Sequence, residues 1–206
     1  MHGFTMVELM VVLAILFILA SLMAPALKRA KDSARQMQCM SNLRQLGTAL
    51  NMYADEWDDS FPTIHCGGGS YPDQYESVWY ANASFMKNLN MSPYPPKQRT
   101  IAVCPSHAAP WPGWSNNWIS YSGNAYFGFS YIPRPKRSAF STPAQTMAFC
   151  DGSLTYYMNI DITQYIDYRH NNGALVVYLD GHVDRREPGS IPEGWANRYD
   201  PFWALQ

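Results

Sequence analysis

After Glu8 the chain runs from Leu9 to Leu27, nineteen residues, without a single charge. As a helix rising about 1.5 Å per residue, this run is roughly 28 Å long, close to the hydrocarbon thickness of a bilayer. It is apolar on every side apart from Ser21, which excludes an amphipathic helix lying on a membrane surface. Pro25 is the one interruption; its missing N–H loosens a helix near the far interface. A cleaved secretory signal fits poorly. Met1-His2-Gly3 carries no Lys or Arg, the apolar run is too long, and Pro25 and Leu27 spoil an A-x-A site near Ala24 and Ala26. The expectation is a retained transmembrane or otherwise fully buried helix.

Beyond Ala30 the pattern becomes one-sided. Ala30, Ala34 and Met37 open an apolar stripe, and Cys39, Leu43, Leu46, Leu50, Tyr53 and Trp57 continue it at spacings of four, three, four, three and four. No proline interrupts Ala26 to Trp57, and Gly47 is the weak point, costing about 1 kcal/mol relative to Ala. A helix from Thr5 to Trp57 spans about 80 Å. A head of the remaining size covers its second half and not its first.

Composition narrows the rest. A formal net charge of -1 argues against a protein that coats nucleic acid, and none is predicted as partner. Fourteen Tyr, nine Phe and seven Trp argue against a disordered chain. Orientation is contested. Lys28, Arg29, Lys31 and Arg35 follow the apolar run and by simple positive-inside counting belong in the cytoplasm, whereas cysteine usage points the other way.

Gly3-Phe4-Thr5-Met6-Val7-Glu8, followed at once by an apolar helix, resembles the prepilin processing motif of type IV pilins and type II secretion pseudopilins. The resemblance implies cleavage between Gly3 and Phe4 by a prepilin peptidase, methylation of the new Phe4 amine, and assembly into a filament through Phe4, Glu8 and Pro25. Glu8 then pairs with the N-terminal amine of a neighbouring subunit. Independently, a carboxylate at the mouth of a hydrophobic helix must stay neutral, reach the interface or find a partner. The implied partners are copies of the same chain, the peptidase, an inner-membrane assembly platform, and lipid before assembly. The implied location is a bacterial inner membrane with an extracytoplasmic head, then a periplasmic or cell-surface filament. The organisation is a leader at 1–3, a stem at 4–57 that spans the membrane at about 9–27, and a head at 58–206.

A second resemblance reaches the C-terminal half. His170 precedes Asp180-Gly181 in an H-x9-DG element, similar to one in pilin-like proteins of bacteria related to planctomycetes and lentisphaerae. Segments 39–47, 53–56, 104–106 and 120–124 are similar to the same group. Four cysteines, Cys39, Cys66, Cys104 and Cys150, permit two disulfides in three pairings. The resemblance favours Cys39–Cys104 with Cys66–Cys150.

The fold class expected is α+β, pilin-like: the long helix packed against a small antiparallel sheet. Ala174 to Leu179 and His182 to Arg186 read as a hairpin around a two-residue Asp180-Gly181 turn of type I′. Thr146 to Cys150 and Leu154 to Met158 read as strands around Asp151-Gly152, and Val78 to Leu89 as a short helix. Trp111 to Tyr131 reads as an aromatic-rich loop held by internal packing, with a glycan-binding or subunit surface as the other readings. His170 is expected to bond the Asp180 turn as a structural lock.

Catalysis is not expected. Zinc ligands are scattered through His65-Cys66, Cys104, His107, Cys150, His170 and His182, but there is no CxxC and no HExxH. No G-x-S-x-G elbow anchors a hydrolytic triad. The acidic group Asp55, Glu56, Asp58 and Asp59 lacks EF-hand spacing and fits a solvated helix end. No metal or cofactor is assigned.

Overall fold

The computed structural model describes residues 5–64, 78–93, 100–107, 119–128, 135–153, 157–158, 163–193, 197 and 199–203. Gly3, Phe4, Cys66 and the aromatic stretches at 111–118 and 129–131 lie outside the described residues.

Helix α1 (Met6–Glu56) is continuous through Pro25. It begins on a capping box: the Thr5 hydroxyl accepts the Glu8 N–H at 3.3 Å, and Glu8 accepts the Thr5 N–H at 2.8 Å. It stops where Asp58 and Asp59 turn left-handed, with φ of 50° and 63°, and Asp59 N–H returns to the Ala54 carbonyl. The acidic residues there are paired by cations from far along the chain. Lys136 reaches Asp58 at 2.9 Å, and Arg137 reaches Asp55 at 2.8 Å and Asp59 at 3.0 Å. A clamp on the end of the stem thus accounts for three members of the cluster.

Strands β1 (Tyr121–Asn124), β2 (Met147–Asp151), β3 (Tyr157–Met158), β4 (Ala174–Tyr178) and β5 (Val183–Arg186) form one sheet in the order β3-β1-β2-β4-β5. All pairs are antiparallel except the short β1–β3 pair. The expected pilin-like α+β architecture is therefore present, with three differences. Strand β1 lies inside the stretch read as an aromatic loop. Strand β3 pairs beside β1, not back upon β2. The β4–β5 connection is a three-residue loop: Gly181 N–H bonds the Tyr178 carbonyl, Tyr178 N–H bonds the His182 carbonyl, and in the loop only Gly181 has positive φ, at 91°. That is a type I turn closed by a glycine bulge, since a type I′ turn requires positive φ at both central residues. Helix α2 (Ala83–Asn88) is shorter than expected, though Val78, Ala81, Phe85 and Leu89 are all buried as the spacing predicted.

Strands β1, β2 and β4 are buried on both faces. On one, Leu43, Leu46 and Leu50 of the stem meet Leu175 and Val177 of β4, with Trp79, Phe85 and Phe149 packed edge-on or stacked beside them. On the other, Met147, Cys150, Val176 and Tyr178 are covered by Ile191, Phe202 and Trp203. Each large side chain fully withdrawn from water contributes about 1.5–3 kcal/mol. The stem's buried face begins at Cys39; Met37 and Trp57, expected in the stripe, remain 61% and 46% exposed. Head cover starts later and ends earlier than the sequence pattern suggests.

Candidate functional site

Two parts of the molecule are built for something other than a core. The first is the free half of the stem. From Met6 to Leu27 the apolar side chains face outward, Phe17 at 73% and Leu27 at 71% exposure, with no described segment of the head against them. Glu8 at its tip is occupied by its own helix, taking both the N–H and the hydroxyl of Thr5 at 2.8 Å. Lys28, Arg29, Lys31 and Arg35 form a cationic collar just beyond, with Arg35 3.9 Å from Asp32.

The second is the joint between stem and head. Cys39 of α1 is disulfide-bonded to Cys104, with Cα atoms 5.3 Å apart. Against the Cys104 sulfur lies His170, its Nε2 3.3 Å away, and the same nitrogen is 3.5 Å from Asp151 Oδ2. Asp151 is completely buried; its Oδ2 accepts the Leu175 N–H at 2.8 Å, and Arg169 stands 3.6 Å from Oδ1. Arg169 donates onward to the carbonyls of Ser120 at 2.9 Å and Gly152 at 2.7 Å, joining β1, β2 and the 169–170 turn. Burial pushes the Asp151 carboxyl up to about 7 against the pull of Arg169. Burial, then repulsion from Arg169, brings His170 down to about 4, leaving a neutral imidazole at neutral pH. These groups are buried, and the cluster fastens the stem, β1, β2 and β4 to one another.

The expectations for site residues divide accordingly. Cys39 and Cys104 are joined as favoured. Cys150 is instead a free, buried thiol, because β2 turns it into the cluster of Met147, Val176 and Tyr178, on the face away from the stem. The expected Cys66–Cys150 bond is corrected on that ground. His170 does not bond the Asp180 turn: it faces Cys104 and Asp151, while Asp180 is held by its near neighbour His182 at 2.6 Å. Sequence reading missed Arg169, and Asp151 it had treated only as a turn residue. An arginine beside the motif histidine was the available signal.

The type II secretion system core protein G of Klebsiella michiganensis is 35% identical to this chain over 100 residues, covering 45% of the chain and 68% of that protein. The chain belongs to the core protein G family. Its counterpart in Aeromonas hydrophila is 34% identical over 96 residues, covering 45% of this chain and 66% of that protein. That of Klebsiella pneumoniae is 44% identical over 67 residues, 32% of this chain and 46% of that protein. The prokaryotic N-terminal methylation motif matches residues 1–24, and a family described as a protein of unknown function (DUF1559) matches residues 28–94. No solved structure matches significantly.

Membership in the core protein G family, with the exposed apolar stem, gives the chain a structural, filament-forming role and not a catalytic one. It places the chain in the inner membrane with its head on the extracytoplasmic side. The disulfide agrees with that oxidising side, so the Lys28–Arg35 collar departs from positive-inside counting.

Proposed function

We propose that this chain is a pseudopilus subunit, drawn from the inner membrane into a filament by its stem. The supporting observation is the length of bare helix. From Met6 to Gln38 the stem is largely uncovered, about 50 Å of helix against a hydrocarbon core of about 30 Å. A single bilayer crossing does not need that length; packing against neighbouring stems does. In this reading a prepilin peptidase cuts between Gly3 and Phe4, and the new Phe4 amine is methylated. Glu8 exchanges its bonds to Thr5 for the amine of a neighbour, which aligns the subunits while Pro25 lets the stem bend within the bundle. The assembly platform is the remaining partner. Mass analysis of the chain from native membranes tests the processing: a subunit starting at methylated Phe4 supports it, and a functional chain retaining Met1 contradicts it.

A further inference from the structure

Three Lewis-basic atoms converge at the stem–head joint at spacings that a disulfide does not require. His170 Nε2 is 3.3 Å from Cys104 Sγ and 3.5 Å from Asp151 Oδ2. Cys39 Sγ, Cys104 Sγ and one His170 nitrogen all lie within 4.8 Å of one another, and all three residues are buried. In a tetrahedral zinc site with bonds of about 2.3 Å to sulfur, 2.0–2.1 Å to nitrogen and 2.0–2.2 Å to oxygen, N···S separations are roughly 3.5 Å and N···O separations roughly 3.4 Å. The N···S distance is near that edge; Asp151 stands 3.5 Å from the same nitrogen but outside the three-residue cluster, so its carboxylate has to turn toward the sulfurs to complete the tetrahedron. Asp151 Oδ1 has no hydrogen-bond partner among the described residues and faces Arg169 Nε across 3.6 Å, an ion pair that leaves the carboxylate able to turn.

We propose that the dithiol form of this protein binds one zinc ion through Cys39, Cys104, His170 and Asp151. Binding displaces the two thiol protons to solvent and yields a dithiolate site with one imidazole and one carboxylate, a donor set suited to zinc. The two sulfurs separate from bonding distance to the edge of the tetrahedron, and the Asp151 carboxylate turns from the Leu175 N–H to supply the fourth donor. On oxidation, the two thiolates pass two electrons to the disulfide of a thiol-oxidising protein, which takes up two protons from solvent and becomes a dithiol; zinc leaves, and the Cys39–Cys104 bond forms. The joint between α1 and the sheet is thereby closed in both redox states. Zinc closes it before oxidation and the disulfide afterwards.

The test uses the full chain in detergent micelles, as a Cys66→Ser variant, which leaves the buried Cys150 as the only other thiol. After reduction without oxygen, cobalt(II) is titrated in and then displaced by zinc. The expected result is one equivalent bound, with thiolate-to-cobalt charge-transfer absorption, and no such band in the oxidised protein. His170→Gln weakens binding by about tenfold or more, while its oxidised form keeps the parent's circular dichroism. Should that variant not fold, Cys39→Ser in the same background decides: the charge-transfer intensity falls by half and affinity drops. Absence of the band in the reduced parent, or unchanged affinity in whichever variant is read, overturns the proposal.

Discussion

A Cβ placed on Gly47 would lie 2.8 Å from Cγ2 of Val177. The stem and β4 therefore approach each other at a position where a side chain meets Val177, and the apparent weak point of the helix is a point of close approach to the sheet. Gly47→Ala gains about 1 kcal/mol of helix propensity but meets a stiff β-branched neighbour, where overpacking costs about 1–3 kcal/mol. The expected outcome is a net loss of about 1 kcal/mol in urea unfolding. In a Val177→Ala background the same substitution is expected to be neutral or stabilising. Independent, additive effects of the two changes would show that the close approach is not the cause.

The Cys39–Cys104 bond joins residues separated by 65 positions, linking stem to head. Closing a loop of that size restricts the unfolded chain and stabilises by about 2–4 kcal/mol. Cys104→Ser, measured in a metal-free buffer, is expected to lose that amount, with unfolding beginning at the joint. Hydrogen exchange should report it first along residues 39–47 of the stem. Protection unchanged there would mean the apolar face of α1 suffices without the bond.

The clamp at the end of the stem carries a pH dependence. Hydrogen bonds from Ser138, aided by the nearby Arg137 guanidinium, hold Asp59 below its ordinary carboxylate range. A group lowered in the folded state contributes fully above its unfolded value and loses that contribution as pH falls. Stability is therefore expected to decline on acidification from the unfolded carboxylate range downward, and Asp59→Asn should remove part of that slope. An identical acid limb in the variant would remove the clamp from the account.

Glu8→Leu keeps the apolar run intact and removes the carboxylate from the stem tip. Membrane insertion is expected to match the parent, while filament yield falls sharply. Normal filaments from this variant would leave Glu8 with only its capping role at Thr5.

The stem was legible in the sequence because its two halves obey different rules, an uncharged run followed by a 3.6-residue stripe. The hairpin from Ala174 to Arg186 was legible through its β-branched residues and glycine turn. Strand β1 was not: Tyr121-Ser122-Gly123-Asn124 shows no alternation, and its place depends on distant partners such as the Asn124 amide bonds to the carbonyls of Met147 and Trp203. The cover formed by Phe202 and Trp203 was hidden for the same reason. At the joint, the cysteine pair was accessible through resemblance, but the true partner of His170 was not. Asp180 looked apt because the motif contains it, whereas Asp151 reaches His170 only through the order of strands in the sheet.

The filament account is tested most directly by crosslinking between stems. A photoreactive amino acid in place of Phe17, which points outward at 73% exposure, is irradiated in cells that carry the secretion machinery. The account predicts a ladder of dimers, trimers and longer products that disappears with Glu8→Leu. Monomer alone, from a chain present at normal levels in the membrane, would contradict it.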